Sequence, residues 1–534
     1  MLRDPGSFWH VVAGEKMLDA GQVIREDPFS FTRAGKPWVA DQWLAECCMA
    51  AVHRVAGWDG LLLLTATLLA GVYAWIAARL LRGGLHILPA ILLMAMAMMV
   101  GSPQFHVRPL IVTIVLLGVT FGWLVDVEAR SRRFRQLWWL VPLFLLWTNM
   151  HGGMLGGLGT VAICLGGWCV STACRFRTGA DASSLANQVV ASILLLIALA
   201  ATILVSPYGL AMPQEWLETL AMPLPHFIEE HAPLDLAEPI GWATLALGAV
   251  YLVTLIGVFP GTVPIFASAK MGLSPSRQRW PRITWLVPLV WFVLAFFRVR
   301  NAPLFGVTAV IALADMLPYS RVGQWLEQRD LLRVARPERA WGVTGTNLVA
   351  NHALAGRATQ FTKRSLIALL LPVVVVAAAA LLQIGGVRLP VIGRGWARFD
   401  PAECPVELEQ TLDKINRSSA KGARIFNDMN FGGFLIYHAP HLRVFIDDRC
   451  PLYGTEFLLA YDHARREDPA QIDLWRRQYG FDYALVETGR QFDRYLSGSP
   501  GWTQVQSSSA ATLYRSRSND PVPAKPDRVL APKG

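Results

Sequence analysis

Ten apolar runs, separated by short polar or basic stretches, constrain this chain more than any other feature. They lie at about 61–78, 87–100, 110–125, 137–147, 155–170, 189–205, 242–258, 285–297, 303–317 and 366–382. A helix needs about 20 apolar residues to cross a bilayer. The fourth and eighth runs are short for that and must recruit flanking residues or be broken. The chain has 534 residues, 53% hydrophobic and only 16% charged, where soluble domains carry about 25% charged residues. The expected fold class is therefore a polytopic α-helical membrane protein of about ten transmembrane helices with a small C-terminal α/β domain.

Basic residues distribute unevenly between the runs. Alternate loops hold twenty of them, among them Arg79, Arg132, Arg175, Arg282 and Arg329, and the intervening loops hold three: Arg108, Arg298 and Arg300. Basic loops stay in the cytoplasm. The start of the chain and the segment after 382 are then expected on the outer side, the periplasm of a bacterial inner membrane. The net charge of +10 follows from this topology. No nucleic-acid motif accompanies it.

The opening segment, Asp4-Pro5-Gly6-Ser7-Phe8-Trp9-His10 through Asp27-Pro28-Phe29-Ser30 to Trp38, Asp41, Trp43 and Glu46, is polar, aromatic and turn-rich. The other polar motifs at span ends fall on the same outer side. They are His106-Val107-Arg108-Pro109, Asn149-Met150-His151-Gly152-Gly153, Ser206-Pro207-Tyr208-Gly209 and Arg298-Val299-Arg300-Asn301, with an acidic loop holding Glu215, Glu218, Glu229, Glu230, His231, Asp235 and Glu238. An ionised side chain in a bilayer costs on the order of 2.5–3.5 kcal/mol. Arginines at outer span ends are therefore expected to meet an anion.

The organisation reads as a first outer loop with interfacial helices (1–58), a transmembrane unit (59–384), an outer α/β unit (385–516) and a disordered tail (517–534). In the α/β unit, helices are expected at 401–417, 469–479 and 490–496, and strands at 424–427, 442–447, 483–487 and 503–506. No CxxC or Cys/His zinc spacing occurs among the seven cysteines. Cys404 and Cys450 could pair on an oxidising side.

The ordered motifs resemble the bacterial GT-C membrane glycosyltransferases. The resemblance is carried by the opening Asp-Pro-x-x-x-Trp-His with Gly14, by Asp27-Pro28-Phe29-Ser30 and by Gly35-Lys36-Pro37-Trp38 through Glu46. It continues in Arg108-Pro109, Trp147-Thr148-Asn149-Met150-His151-Gly152, Ser206-Pro207-Tyr208-Gly209, Phe431-Gly432-Gly433-Phe434-Leu435 and Val444-Phe445-Ile446-Asp447-Asp448-Arg449 with Tyr453-Gly454. It implies transfer of a sugar from a polyprenyl-phosphate donor to an outer-side acceptor by an inverting mechanism, with an acidic residue of the first outer loop acting as base or positioning the acceptor. Two departures stand out. Relatives carry a transmembrane helix before this loop, and they often have Asp where Gly6 stands.

The expected base is Asp4, then Asp27 and Asp41. Each has a structural alternative: an N-cap for Asp4, a turn for Asp27, and an interfacial helix anchored by Trp38 and Trp43 for Asp41 and Glu46. Arg298, Arg300 and Arg108 suit the phosphate or snorkel to headgroups. His10, His106 and His151 suit phosphate or a divalent metal, or a structural role. Asn149 serves substrate or the end of a short helix. Asp447, Asp448 and Arg449 read as a strand-end turn, or as part of a sugar or acceptor site. The expected partners are the lipid-linked sugar and membrane lipids. Two other classes remain, a lipid flippase and a non-catalytic assembly protein. Spans nearly free of internal charge disfavour transport.

Overall fold

The computed structural model of the chain describes residues 2, 4–176, 182–222, 232–258, 281–333, 377–378, 381 and 397–517. Among these, seven helices are long and apolar enough to cross a membrane: Trp43–Arg82, Ile87–Gln104, Leu110–Glu128, Met154–Cys174, Leu185–Leu204, Pro239–Ile256 and Val299–Tyr319. The fourth and eighth apolar runs form shorter helices, Leu140–Met150 and Val287–Phe297. Nine of the ten runs are thus helical. The tenth, at 366–382, lies outside the described residues apart from three positions, as do Glu229, Glu230, His231 and the segment after Arg517. The chain is a multi-pass membrane protein.

The described helices surround Val299–Tyr319, whose residues from Ala302 to Leu313 are all buried. A helix apolar on every face belongs inside a bundle. Outward-facing Leu88, Ile91, Leu92, Ile197, Val253 and Phe297 stay exposed, as a lipid-facing surface requires. Ion pairs latch the helices at one end, Arg79 to Asp126 at 2.6 Å and Arg282 to Asp315 at 2.6 Å.

At the other end the opening segment folds as helix α1, Pro5–Ala20. Asp4 caps it, accepting from the Ser7 N–H at 3.0 Å, and Pro5 occupies the first turn where its missing N–H costs nothing. Helix α2, Trp43–Arg82, breaks at Gly57, whose φ of 60° and ψ of −157° interrupt the ladder. Its first part is the expected helix carrying Glu46, and its second part is the first span.

The α/β unit has a five-stranded sheet in the order β2-β1-β3-β5-β4. Strands β1 (Ala423–Asn427), β2 (Leu442–Val444) and β3 (Tyr483–Glu487) are parallel, and β4 (Trp502–Ser507) and β5 (Ala511–Ser516) run antiparallel. Alternation along each strand covers both faces. Ile425, Val444 and Leu485 join the core continuous with the membrane bundle, and Phe426, Phe445, Ala484 and Val486 join a second core with Leu458, Ile472 and Trp475. Cys404 and Cys450 are both buried free thiols, so the pairing considered above is not formed.

The opening segment is built into this unit. Phe31 N–H donates to Val444 O at 3.0 Å and Val444 N–H to Phe29 O at 3.1 Å, adding residues 29–31 to the β2 edge. Phe8 packs against Trp58, Phe399, Phe434 and Tyr437, with ring centroids 5.0–5.8 Å apart. The Phe-Gly-Gly-Phe motif permits this approach, since a Cβ on Gly433 would lie 2.0 Å from the Pro5 carbonyl oxygen. Backbone cannot swing aside. Gly433→Ala is therefore expected to destabilise the docked unit by about 1–3 kcal/mol, read as a lowered thermal midpoint and faster proteolysis after residue 397 in detergent. An unchanged midpoint would refute that account.

Candidate active site

A cavity of about 1790 Å³ lies where the span ends meet α1 and the α/β unit. Asp4, His10, Asp41, Arg108, His151, Arg298 and Arg300 all line it. Seven of the nine residues singled out from sequence thus converge. Asp27 and Asn149 are elsewhere.

Asp27 is fully enclosed. Its carboxylate accepts from the N–H groups of Phe29 at 3.1 Å and Ser30 at 3.0 Å and pairs with Arg449 at 2.8 Å. Burial pushes it up, but Arg449 and these donors outweigh burial and hold it below its ordinary range. Arg449 also grips Asp447 at 2.9 and 2.7 Å and lies 4.5 Å from the Trp38 ring centroid. Asp27 therefore ties the first loop to the strand end after β2. Asn149 is spent on helix ends: it accepts from Trp43 Nε1 at 2.9 Å and donates to Leu145 O and Val205 O at 2.9 and 3.0 Å.

Arg108 sits between two carboxylates. Its Nε donates to Asp4 at 2.5 Å, its Nη2 also pairs with Asp4, and Nη2 donates to Asp448 at 3.0 Å. A Cβ on Gly6 would meet Nη2 at 2.7 Å, so the guanidinium packs directly against the helix backbone there. Asp4 has its oxygens taken by a helix cap and a cation. Asp448 accepts from Trp9 Nε1 at 2.7 Å as well. Burial moves its carboxyl up to about 6, against the pull of Arg108.

Asp41 differs. It is half-buried, accepts from the neutral indole Nε1–H of Trp216 at 3.1 Å, and makes no ion pair among the described residues. Burial raises its carboxyl, with Arg300 acting against the rise. Glu215 on helix Ala211–Ala221 lines the same cavity; burial and then Asp41 push it up to about 7.

The His151 tautomer follows from its donors. Gly153 N–H points at Nδ1 at 2.8 Å, and Trp147 Nε1–H donates to Thr113 Oγ1 at 2.9 Å, leaving the Thr113 hydroxyl to donate to Nδ1 at 2.9 Å. The ring proton is therefore on Nε2. Burial, then Arg300 and Arg108, lower the ring to about 3. His151 is a neutral hydrogen-bond donor at the cavity wall. His10 stacks on Trp9 with centroids 3.7 Å apart and bonds Glu46 through Nδ1 at 2.9 Å. Among the described residues no group of three His, Cys, Asp or Glu gathers as a metal site.

Arg298 and Arg300 complete the wall beside Trp291, Leu294 and Phe297. Phe297 is 68% exposed on the outside of the bundle. The cavity thus has cations at the span ends and an apolar wall that continues to the lipid-facing surface.

No family model and no curated protein matches the sequence. Solved structures do. The Archaeoglobus fulgidus oligosaccharyltransferase, crystallised tethered to an acceptor peptide containing the NVT sequon, is similar over 91% of this chain, with 11% identity and a TM-score of 0.47. This chain spans 65% of that protein's length. ArnT from Cupriavidus metallidurans is similar over 96% of this chain. Its apo form has 13% identity and a TM-score of 0.42 over 93% of its own length, and its undecaprenyl phosphate complex 12% and 0.43 over 94%. Both are GT-C glycosyltransferases, the family that the sequence motifs resemble.

Three site residues carry weak sequence signals. Asp448 reads as a strand-end turn or as part of a sugar or acceptor site, Glu215 as one acid in an acidic loop, and Trp216 belongs to no motif. Their roles depend on contacts with residues 340, 174 and 175 positions away, respectively Arg108, Asp41 and Asp41.

Proposed function

We propose that this protein is an inverting membrane glycosyltransferase that moves a sugar from a polyprenyl-phosphate donor to an acceptor on the periplasmic side of a bacterial inner membrane. The observation that carries this reading is one cavity lined together by Asp41, which makes no ion pair among the described residues, by Arg298 and Arg300, and by the apolar Trp291, Leu294 and Phe297. The prenyl chain lies along Trp291, Leu294 and Phe297. Arg298, Arg300 and the His151 Nε2–H meet the phosphate.

The acceptor oxygen attacks the anomeric carbon from the face away from the phosphate. Its proton passes to Asp41, the carbon–oxygen bond to phosphate breaks, and the lipid phosphate departs with the electron pair. Donors fixed where leaving-group charge develops supply the larger share of such rate enhancements. Asp4, held by Arg108 and its own helix, keeps that guanidinium in place rather than taking the proton. A divalent metal, if one binds, would share the phosphate charge.

Arg298 gives the cleanest test, because among the described residues it has no ion pair whose loss would confuse the result. A charge-assisted hydrogen bond contributes about 1.5–3 kcal/mol. Arg298→Gln in nanodiscs is expected to weaken undecaprenyl phosphate binding roughly 10- to 100-fold, followed by quenching of tryptophan fluorescence. Unaltered binding would remove Arg298 from the site, and absence of binding by the unmodified protein would sink the reading.

A further inference from the structure

Helix Ala211–Ala221 follows the span Leu185–Leu204 and presents three different sides. Residues three, four or seven apart share a face of a helix. Met212 and Trp216 are buried against the protein. Gln214 and Glu218 are exposed, and the Gln214 amide donates to Glu218 at 2.9 Å. On the side between these two pairs runs an apolar row, Leu210, Leu217 and Leu220, which is 76%, 67% and 58% exposed.

A helix lying between protein and water has use for two sides. The third suits lipid, as on helices that lie in a membrane interface. Its 11 residues, at about 1.5 Å each, are too few to cross a hydrocarbon core of about 30 Å. The leucine row also continues a surface already in contact with lipid. It follows the exposed Leu204 and Val205, at the end of the span whose Ile197 faces outward.

The same segment holds Asp41 in two places. Tyr208, in the turn before the helix, accepts from Ala40 N–H at 3.3 Å and donates to Ile24 O at 2.7 Å, which fixes the backbone beside Asp41. From the helix itself, Trp216 Nε1 donates to the Asp41 carboxylate at 3.1 Å. A Cβ on Gly152 would lie 3.1 Å from that nitrogen and 3.3 Å from the Asp41 oxygen, so glycine leaves room for the pair. Glu215, Trp216, Thr219 and Leu220 all line the cavity. One short helix therefore touches both the lipid-facing surface and a cavity carboxylate.

We infer that helix Ala211–Ala221 is seated among the acyl chains of the leaflet on the cavity side, and that this seating sets the position of the Asp41 carboxylate through Trp216. Leu210, Leu217 and Leu220 make the lipid contact, and Trp216 is a positioning residue. Neither part depends on what Asp41 catalyses, so both stand or fall apart from the transferase reading.

Photocrosslinking of the full chain in phosphatidylethanolamine/phosphatidylglycerol nanodiscs tests the seating. Leu217→benzoylphenylalanine is expected to form a phospholipid adduct on illumination, read as a gain in mass. Glu218→benzoylphenylalanine, on the polar side, should form at least several-fold less. No adduct at 217, or equal adducts at both positions, overturns the seating. Carbodiimide labelling of carboxyl groups, read by peptide mass spectrometry, tests the hold on Asp41. Leu210→Glu/Leu217→Glu is expected to raise labelling of Asp41 several-fold, and Trp216→Phe, which keeps most of the ring's bulk, to raise it in the same direction. Asp473 serves as the internal control, since it accepts from Trp502 Nε1 at 3.0 Å within the α/β unit, and its labelling should stay constant. Asp41 labelling that is unchanged in either variant, or that rises only together with Asp473, overturns the coupling.

Discussion

Asp41→Asn is expected to lower glycosyl transfer by roughly 10²–10⁴-fold, the usual contribution of a positioned base, while undecaprenyl phosphate still binds. The amide is nearly the same size and can still accept from Trp216 Nε1, now 3.1 Å away, so the fold has little reason to change. What is lost is the ability to take a proton. The pH profile gives a second check. Only the ionised carboxylate acts as base, and burial raises its pKa. Transfer should therefore decline as pH falls through a limb above the ordinary ~3.9 of an aspartate. His151, lowered to about 3, is neutral throughout and adds no limb near neutral pH. Full activity in Asp41→Asn would return the role of base to another acid of the cavity, with Asp448 next.

The second large effect is on stability. Arg449→Leu is expected to destabilise the protein by about 3–5 kcal/mol, because removing one member of a buried ionic group strands the others. Asp27 and Asp447 both have fully enclosed side chains, and Arg449 serves both. Thermal unfolding in detergent reads the loss. Adding Asp27→Asn and Asp447→Asn should recover a large part of it, since the stranded charge is then gone. No recovery would mean that packing on Trp38 and Phe29, not charge, is what Arg449 provides. The lowered pKa of Asp27 fixes the pH sense. Its contribution is fully present above its unfolded value and fades as pH falls through the lower folded one.

The sequence shows the parts of this molecule that local physics decides. Nine apolar runs are helices because a membrane leaves the backbone no other partner than itself. Strands β1 and β3 and the helix Gln471–Tyr479 fall within a few residues of where pattern placed them. Strand β5 and the helix Thr455–Arg466 were not legible. The first follows a serine-rich turn and is buried on successive residues, without the alternation of a half-exposed strand, and the second carries charges on most of its turns, so neither shows a clear period. At the site, the residue types and their shared side were readable. Their states were not. Asp4 and Asp41 look alike in sequence, and only the distant Arg108 and Trp216 distinguish them, one held by a guanidinium and the other bonded to a neutral indole. Asp27 and Asn149 were drawn into the candidate set by motif and fall outside the cavity, because some of the partners that hold them, Arg449 for Asp27 and Trp43 and Val205 for Asn149, are far away in sequence.

Pairing between residues 29–31 and β2 also sets a timetable for biogenesis. Phe29 and Val444 are joined by hydrogen bonds across 415 positions (444 − 29). At roughly 5–20 residues per second of synthesis, the first loop waits about 20–80 seconds for the strand that completes it. During that interval Asp27 has no arginine and an open strand edge is on offer to other chains. The nascent protein is then most exposed to misassociation, and a membrane chaperone that shields the first loop would act in that window.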